Sequence, residues 1–262
     1  MSTTSDLTPS QASSMTSSAP AGIAEISPVA RAEAGQVLTP FHIWTAAGLT
    51  LLPIPLGLIG FFGGIGLAVY FGANAPEAAG VSAVAGLLVG GLAVGALVFF
   101  QHFLPSCYLR AVACRAFGQR SQPLVRWDDP EAEFVDIVPR SNWGRNMLEP
   151  ATDVGFWRID SARHELLFEG DNKRYRIPFQ AVASCEVEKF CLGAEQWRAD
   201  VYFVTVLNVQ TATGPREIGL VGRHLEASPR RMPQRRLQAY AFCKRIKEAL
   251  GAGLVGQDAS PA

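Results

Sequence analysis

The chain has 262 residues, with 23 Lys and Arg balancing 23 Asp and Glu. That length holds a membrane hairpin plus one domain of ordinary size, and the balanced charge leaves no electrostatic footprint for nucleic acid. The net charge of zero averages unlike parts: residues 110–262 hold 22 of the 23 basic and 19 of the 23 acidic residues, while 34–109 contain no Lys or Arg and a single acid, Glu77.

Residues 1–40 are rich in Ser, Thr, Ala and Pro. No basic stretch leads directly into an apolar core, so this is not a secretory signal peptide. Low hydrophobicity and few aromatics predict a disordered tail.

A water-facing segment needs charge on its exposed face. Residues 41–104 have almost none and are predicted to form a transmembrane hairpin. The first apolar run, 44–72 (WTAAGLTLLPIPLGLIGFFGGIGLAVYFG), exceeds the roughly 20 residues that a helix needs to cross hydrocarbon. Pro53 and Pro55 divide it, either kinking the span or marking its start. Trp44 suits the headgroup level. A polar turn over 73–79, with Asn74, Pro76 and Glu77, leads to the second run, 80–104. Two spans joined by so short a turn are antiparallel neighbours. Small residues recur every four positions, at Gly60, Gly64, Ala68 and Gly72, and at Ser82, Gly86 and Gly90. That spacing lets two backbones approach. Gly60, Gly64, Gly86 and Gly90 are expected to pack the spans together, and the leftover stripe could join a homo-oligomer or a protein partner.

Charge sets the orientation. Arg110, Arg115, Arg120 and Arg126 follow the second run before the first acid, Asp128, and the turn carries no positive charge. The positive-inside rule puts the C-terminal domain in the cytoplasm and, across two spans, the N-terminus with it. The expected location is the cell (inner) membrane, multi-pass.

Residues 105–129 read as a juxtamembrane helix, over 104–118, and a linker. From 130 to 251 the pattern changes to short strands at 134–138, 154–160, 164–169, 174–177, 184–190, 201–209 and 216–221, with turns such as Gly170-Asp171-Asn172 and Ala212-Thr213-Gly214. The run 201–209 (VYFVTVLNV) is β-branched and aromatic throughout. One helix follows. Pro233 suits its first turn, Ala239, Phe242, Cys243, Ile246 and Leu250 form an apolar stripe, and Gly251 is the expected stop. Residues 252–262 read as a disordered tail.

Chemistry is sparse. Cys107, Cys114, Cys185, Cys191 and Cys243 fit no zinc or redox spacing and read as buried thiols in a reducing compartment. His42, His102, His164 and His224 match no metal-ligand spacing. No P-loop, zinc-protease or nucleophile-elbow motif is present, so no catalytic residue, metal or cofactor is assigned. The acidic run Asp128, Asp129, Glu131 and Glu133 surrounds Pro130 and reads as a solvated loop. Trp143 and Trp157 read as core or barrel rim. The basic group Arg223, Arg230, Arg231, Arg235 and Arg236 is opposed only by Glu226. On a domain tethered to a bilayer, each basic residue near an anionic leaflet gains about 1 kcal/mol. Arg230, Arg231, Arg235 and Arg236 are therefore the candidate contacts to anionic lipid headgroups.

The segments DVGFWRID from Asp153, RHELLFEG from Arg163 and YRIPFQAVASCEV from Tyr175, within about seven consecutive strands and a final helix, resemble bacterial pleckstrin-homology-like (PH-like) domains. The resemblance covers about 130–250 and implies a curved barrel of two sheets with the helix plugging one end. The phosphoinositide site of many eukaryotic members lies between early strands and is not carried over. The expected fold is thus an α+β membrane protein: a two-helix transmembrane hairpin, then an antiparallel PH-like β-barrel or sandwich with a C-terminal capping helix. A generic antiparallel sandwich is the competing architecture. The function expected is that of a membrane-anchored interaction or scaffolding module. The rivals are a channel or transporter subunit, against which the absence of charge within the spans argues, and an enzyme with an unrecognised site.

Overall fold

The computed structural model describes residues 22–74, 76–100, 103–143, 149–192, 200–223 and 231–257. Five helices and eight strands organise them.

Helix α1 (Pro40–Leu51) starts at a built cap: Pro40 occupies the first turn, and the Thr39 hydroxyl accepts from His42 N at 3.2 Å. It joins α2 (Pro53–Asn74) through Leu52, which stays in the right-handed helical region. Pro40–Tyr70 is one stretch long and apolar enough to cross a membrane. Helix α3 (Pro76–Phe100) contains the apolar stretch Gly80–Ala93, which is shorter than that. By length and composition, then, the described residues offer one candidate span where two were expected. Pro76 opens α3, as a residue without an N–H can at a first helical position, so the polar turn read over 73–79 is mostly helical.

Helices α2 and α3 lie side by side and antiparallel. A Cβ on Gly86 would stand 2.8 Å from Gly64 Cα, and one on Gly57 would stand 2.8 Å from Ala93 Cβ. Gly60 faces Val89, and Gly90 faces Phe61. Helix α4 (Phe103–Gly118) leads out of the hairpin and packs against α1.

The strands form one antiparallel sheet: β1 (Glu25–Pro28), β2 (Glu133–Ile137), β3 (Asp153–Asp160), β4 (Glu165–Gly170), β5 (Lys173–Pro178), β6 (Val182–Leu192), β7 (Asp200–Thr211) and β8 (Gly214–Gly222). Their spatial order is β1-β5-β4-β3-β2-β8-β7-β6. From β2 to β8, then, each strand but one pairs with its successor, and the last pairs with the first. The sheet curls without closing. The residue before β1 reaches β7, next to the other end of the sheet, at one bridge, where Ala24 N donates to Gln210 O at 2.8 Å.

Helix α5 (Arg231–Gln257) fills one face, burying Ala239, Phe242, Cys243 and Ile246 against Trp157, Leu166, Phe168, Ile177, Leu207 and Ile218. Strands β2 to β4 are covered on their other face by α4, where Phe134, Val154, Phe156 and Leu167 meet Leu109, Ala113 and Phe117. Burial on both faces explains why β3 and β4 read as apolar runs and not as clean alternations.

Two segments differ from expectation. Residues 22–38, read by composition as part of a disordered tail, supply β1 and a loop tied to the β4–β5 turn; backbone pairing to an edge strand leaves little trace in composition. Helix α5 continues past Gly251, which keeps a negative φ and therefore makes no left-handed stop. Residues 1–21 and 258–262 lie outside the described residues.

Candidate functional site

Of the basic group read over 223–236, the structure describes Arg223, Arg231, Arg235 and Arg236. Arg223 is buried between two carboxylates, with Nε 2.6 Å from Asp136 and Nη2 2.7 Å from Glu149. Two acids share one guanidinium there, and burial pushes the Asp136 carboxyl up to about 7 against the pull of Arg223. Arg230 lies outside the described residues, and Arg231 opens α5. Arg235 sits over the Tyr202 ring at 4.5 Å and donates to Val201 O. It ends a column on the outer face of the sheet: Trp143 stacks on Phe190 at 5.0 Å, Phe190 stacks on Tyr202 at 5.2 Å, and Arg140 covers Trp143 at the far end. Trp143 belongs to this column, whereas Trp157 is fully buried in the core.

Arg236 faces elsewhere. With Lys189, Phe203, Pro233, Leu237 and Tyr240 it lines a groove of about 890 Å3 between the start of α5 and strands β6 and β7. Leu237 is 69% exposed and Tyr240 50% exposed. The walls are apolar, both charges are positive, and among the described residues β6 ends the sheet order with one edge lacking a neighbouring strand. Chemically, this surface fits an extended segment that brings apolar side chains and a carboxylate.

A second polar centre joins the helices to the sheet. Glu169 has no exposed surface and is gripped by Arg120, by Arg174 (Nε at 2.9 and 3.0 Å) and by Leu124 N at 2.7 Å. Arg120 also donates to Gly170 O at 2.8 Å and Glu33 O at 3.1 Å. Beside it, Asp171 accepts from Gln36 N, Val37 N and Leu38 N at 2.8–3.0 Å. Asp153 accepts from Val154 N, Asn172 N and Lys173 N. Three chain segments thus converge: the loop before α1, the chain leaving α4 and the β4–β5 turn. Gly170 is required at the turn, since a Cβ there would stand 2.6 Å from both Asp153 Oδ2 and Lys173 O. In the sequence Arg120 stands only as one of the flanking cations, and no motif singles out Glu169. The available signal was the unbroken apolar run LLF before Glu169, which marks a strand with no solvent face.

The acidic run at 128–133 is answered by arginines: Asp128 pairs with Arg126, Asp129 with Arg158 at 2.8 Å, and Glu133 with Arg245. Among the described residues no three of His, Cys, Asp or Glu converge as a metal site requires. Cys185 and Cys243 are buried in contact, with Sγ atoms 3.2 Å apart, and burial pushes the Cys185 thiol up. Both are free, like the other three cysteines. His102 and His224 lie outside the described residues. Comparison of the chain with protein-family models, curated proteins and solved structures finds no match.

Proposed function

We propose that the protein is a membrane-anchored interaction module: α2 and α3 both cross the bilayer, and a PH-like β domain is held against its cytoplasmic face with both termini on that side. The observation that carries this reading is the surface of the helical hairpin. Ile59, Val69, Val81 and Leu92 are each about 70% exposed, and no charged side chain breaks the described part of that surface. In water such a face is an aggregation hazard; in hydrocarbon it is the required solvent contact. Arg110 and Arg115, exposed just beyond α3, support the cytoplasmic placement. The PH-like reading is supported by seven successive antiparallel strands with a helix on the concave face. The groove beside β6 is the surface on which such a module takes a partner, an extended segment carrying an acid to meet Lys189 and Arg236.

A topology measurement tests the proposal. In sealed right-side-out membrane vesicles, the Asn74→Cys variant should react with a membrane-impermeant maleimide, while the native cysteines should react only after the vesicles are opened. Protection of position 74 until opening would show that the hairpin does not cross.

A further inference from the structure

Between α1 and α4 lies a cavity of about 310 Å3, lined by Gln36, His42, Tyr108, Val112, Arg115 and Gln119. This is at the small end of ligand-pocket volumes. Tyr108, Val112 and Arg115 follow one face of α4 by helical spacing, Gln119 lies just past its end, and Ala111 and Ala116 complete an apolar wall. His42 comes from the first turn of α1, and Gln36 from the loop before it.

The polar lining consists of groups able to donate. Arg115 is exposed and makes no ion pair among the described residues, and no carboxylate lines the cavity. His42 Nδ1 lies 2.6 Å from the Tyr108 hydroxyl. When Tyr108 donates that bond, the imidazole keeps its proton on Nε2 and is itself a donor. Gln36 is fixed from behind, its backbone N–H bonded to Asp171 and its side-chain amide to Ala32 O at 3.1 Å. The wall is therefore built before any ligand arrives. A guanidinium with free donors, beside other donors and away from acids, selects a phosphate.

The location says which phosphate. Phe41 and Trp44, on either side of His42 in α1, are 71% and 66% exposed. The amphipathic Trp44 ring suits the headgroup level of a bilayer, with the apolar Phe41 ring beside it. The cavity lies between that helix and α4, with an apolar wall for the glycerol portion and room for little more.

We propose that this cavity binds the phosphate of an anionic phospholipid headgroup and so fixes α1 and α4 at the membrane surface. The inference rests on the membrane reading above.

The test uses the full chain in nanodiscs of phosphatidylcholine doped with phosphatidylglycerol, with native mass spectrometry counting the lipids retained after release from the disc. One phosphatidylglycerol should be kept in preference to phosphatidylcholine. Arg115→Gln should reduce that preference about tenfold or more, as expected for losing charge-assisted hydrogen bonds. Arg110→Gln, exposed on the same helix outside the cavity, should leave it unchanged. Equal retention by wild type and Arg115→Gln, or no preference between the lipids, overturns the site. Displacement of the lipid by millimolar inorganic phosphate would assign the cavity to a free anion and overturn the lipid source. Protein inserted in the disc but without preference sinks this inference alone; protein that never enters the disc sinks the membrane reading with it.

Discussion

Glu169 and Arg120 show how much a single pair of residues carries here. Each is almost wholly removed from water. Desolvating two charges costs several kcal/mol per ion, recovered only when every remaining polar atom is well paired. Glu169 meets that condition with two arginines and a backbone N–H, whereas Arg120 leaves its Nε without a hydrogen-bond partner among the described residues. Removing one partner leaves part of a buried charge unanswered, so Arg120→Met should lower the unfolding free energy by about 3–5 kcal/mol, read by chemical denaturation of the detergent-solubilised chain. A change below 1 kcal/mol would mean that Arg174 alone satisfies Glu169. Asp153, nearby, makes stability depend on pH. Burial pushes its carboxyl up to about 6, against the pull of three backbone amides. A carboxyl raised on folding contributes stability that is fully present below its unfolded value of about 4 and is lost as pH rises through 6, on the order of 3 kcal/mol. The difference in stability between wild type and Asp153→Asn should therefore change between pH 4 and 6 and level off above 7. A flat difference would show that the amides, not burial, govern this group. Neither residue announces its burial in sequence, because solvent exposure of an acid depends on what covers the strand's second face.

At the scale of elements, α5 was legible and its partners were not. The stripe Ala239, Phe242, Cys243, Ile246 follows helical spacing, and among the described side chains of α5 these four are the buried ones. Leu250 packs at the margin of the same core. Phe242 meets Trp157 edge to face at 6.1 Å, so truncating it opens a cavity in the centre of the domain. Phe242→Ala should cost about 3–5 kcal/mol, measured as a shift of the denaturant midpoint at constant slope. The helical hairpin is also legible, since four-residue spacing of glycine has a steric meaning that survives without tertiary context. Gly57→Cys with Ala93→Cys brings two thiols to adjoining positions and should cross-link on mild oxidation. Adding Gly86→Leu should abolish that cross-link, because the side chain would overlap the backbone of Gly64. Persistent cross-linking would mean that α2 and α3 can separate at their middle and still meet near Gly57. The strand β1 left no comparable trace: it is four residues long, ends in Pro28 and lies at a sheet edge, where backbone pairing requires no pattern of side chains.

At the scale of the molecule, the N-terminal segment connects parts that the sequence presents as separate. It pairs Glu25–Pro28 with β5, bridges to β7 through Ala24, covers Asp171 with three amides and then turns into α1. The sheet and the helices are thereby held as one body from two directions, by this segment and by the Arg120–Glu169 pair. A tether of flexible residues would leave the domain free to swing; this arrangement fixes its orientation relative to the helices. Deleting residues 22–38 should then do more than trim an end. Asp171 would lose Gln36, Val37 and Leu38 as donors, and β5 would become an unpaired edge. Hydrogen exchange of the β5 amides that face β1 should accelerate to that of exposed backbone, and the thermal midpoint of the domain should fall. Protection in β4 and β3 should persist, since those strands keep neighbours on both sides. Unchanged exchange throughout β5, with an unchanged midpoint, would show that the segment rests on the domain without holding it, and that Arg120 and Glu169 alone make the joint rigid.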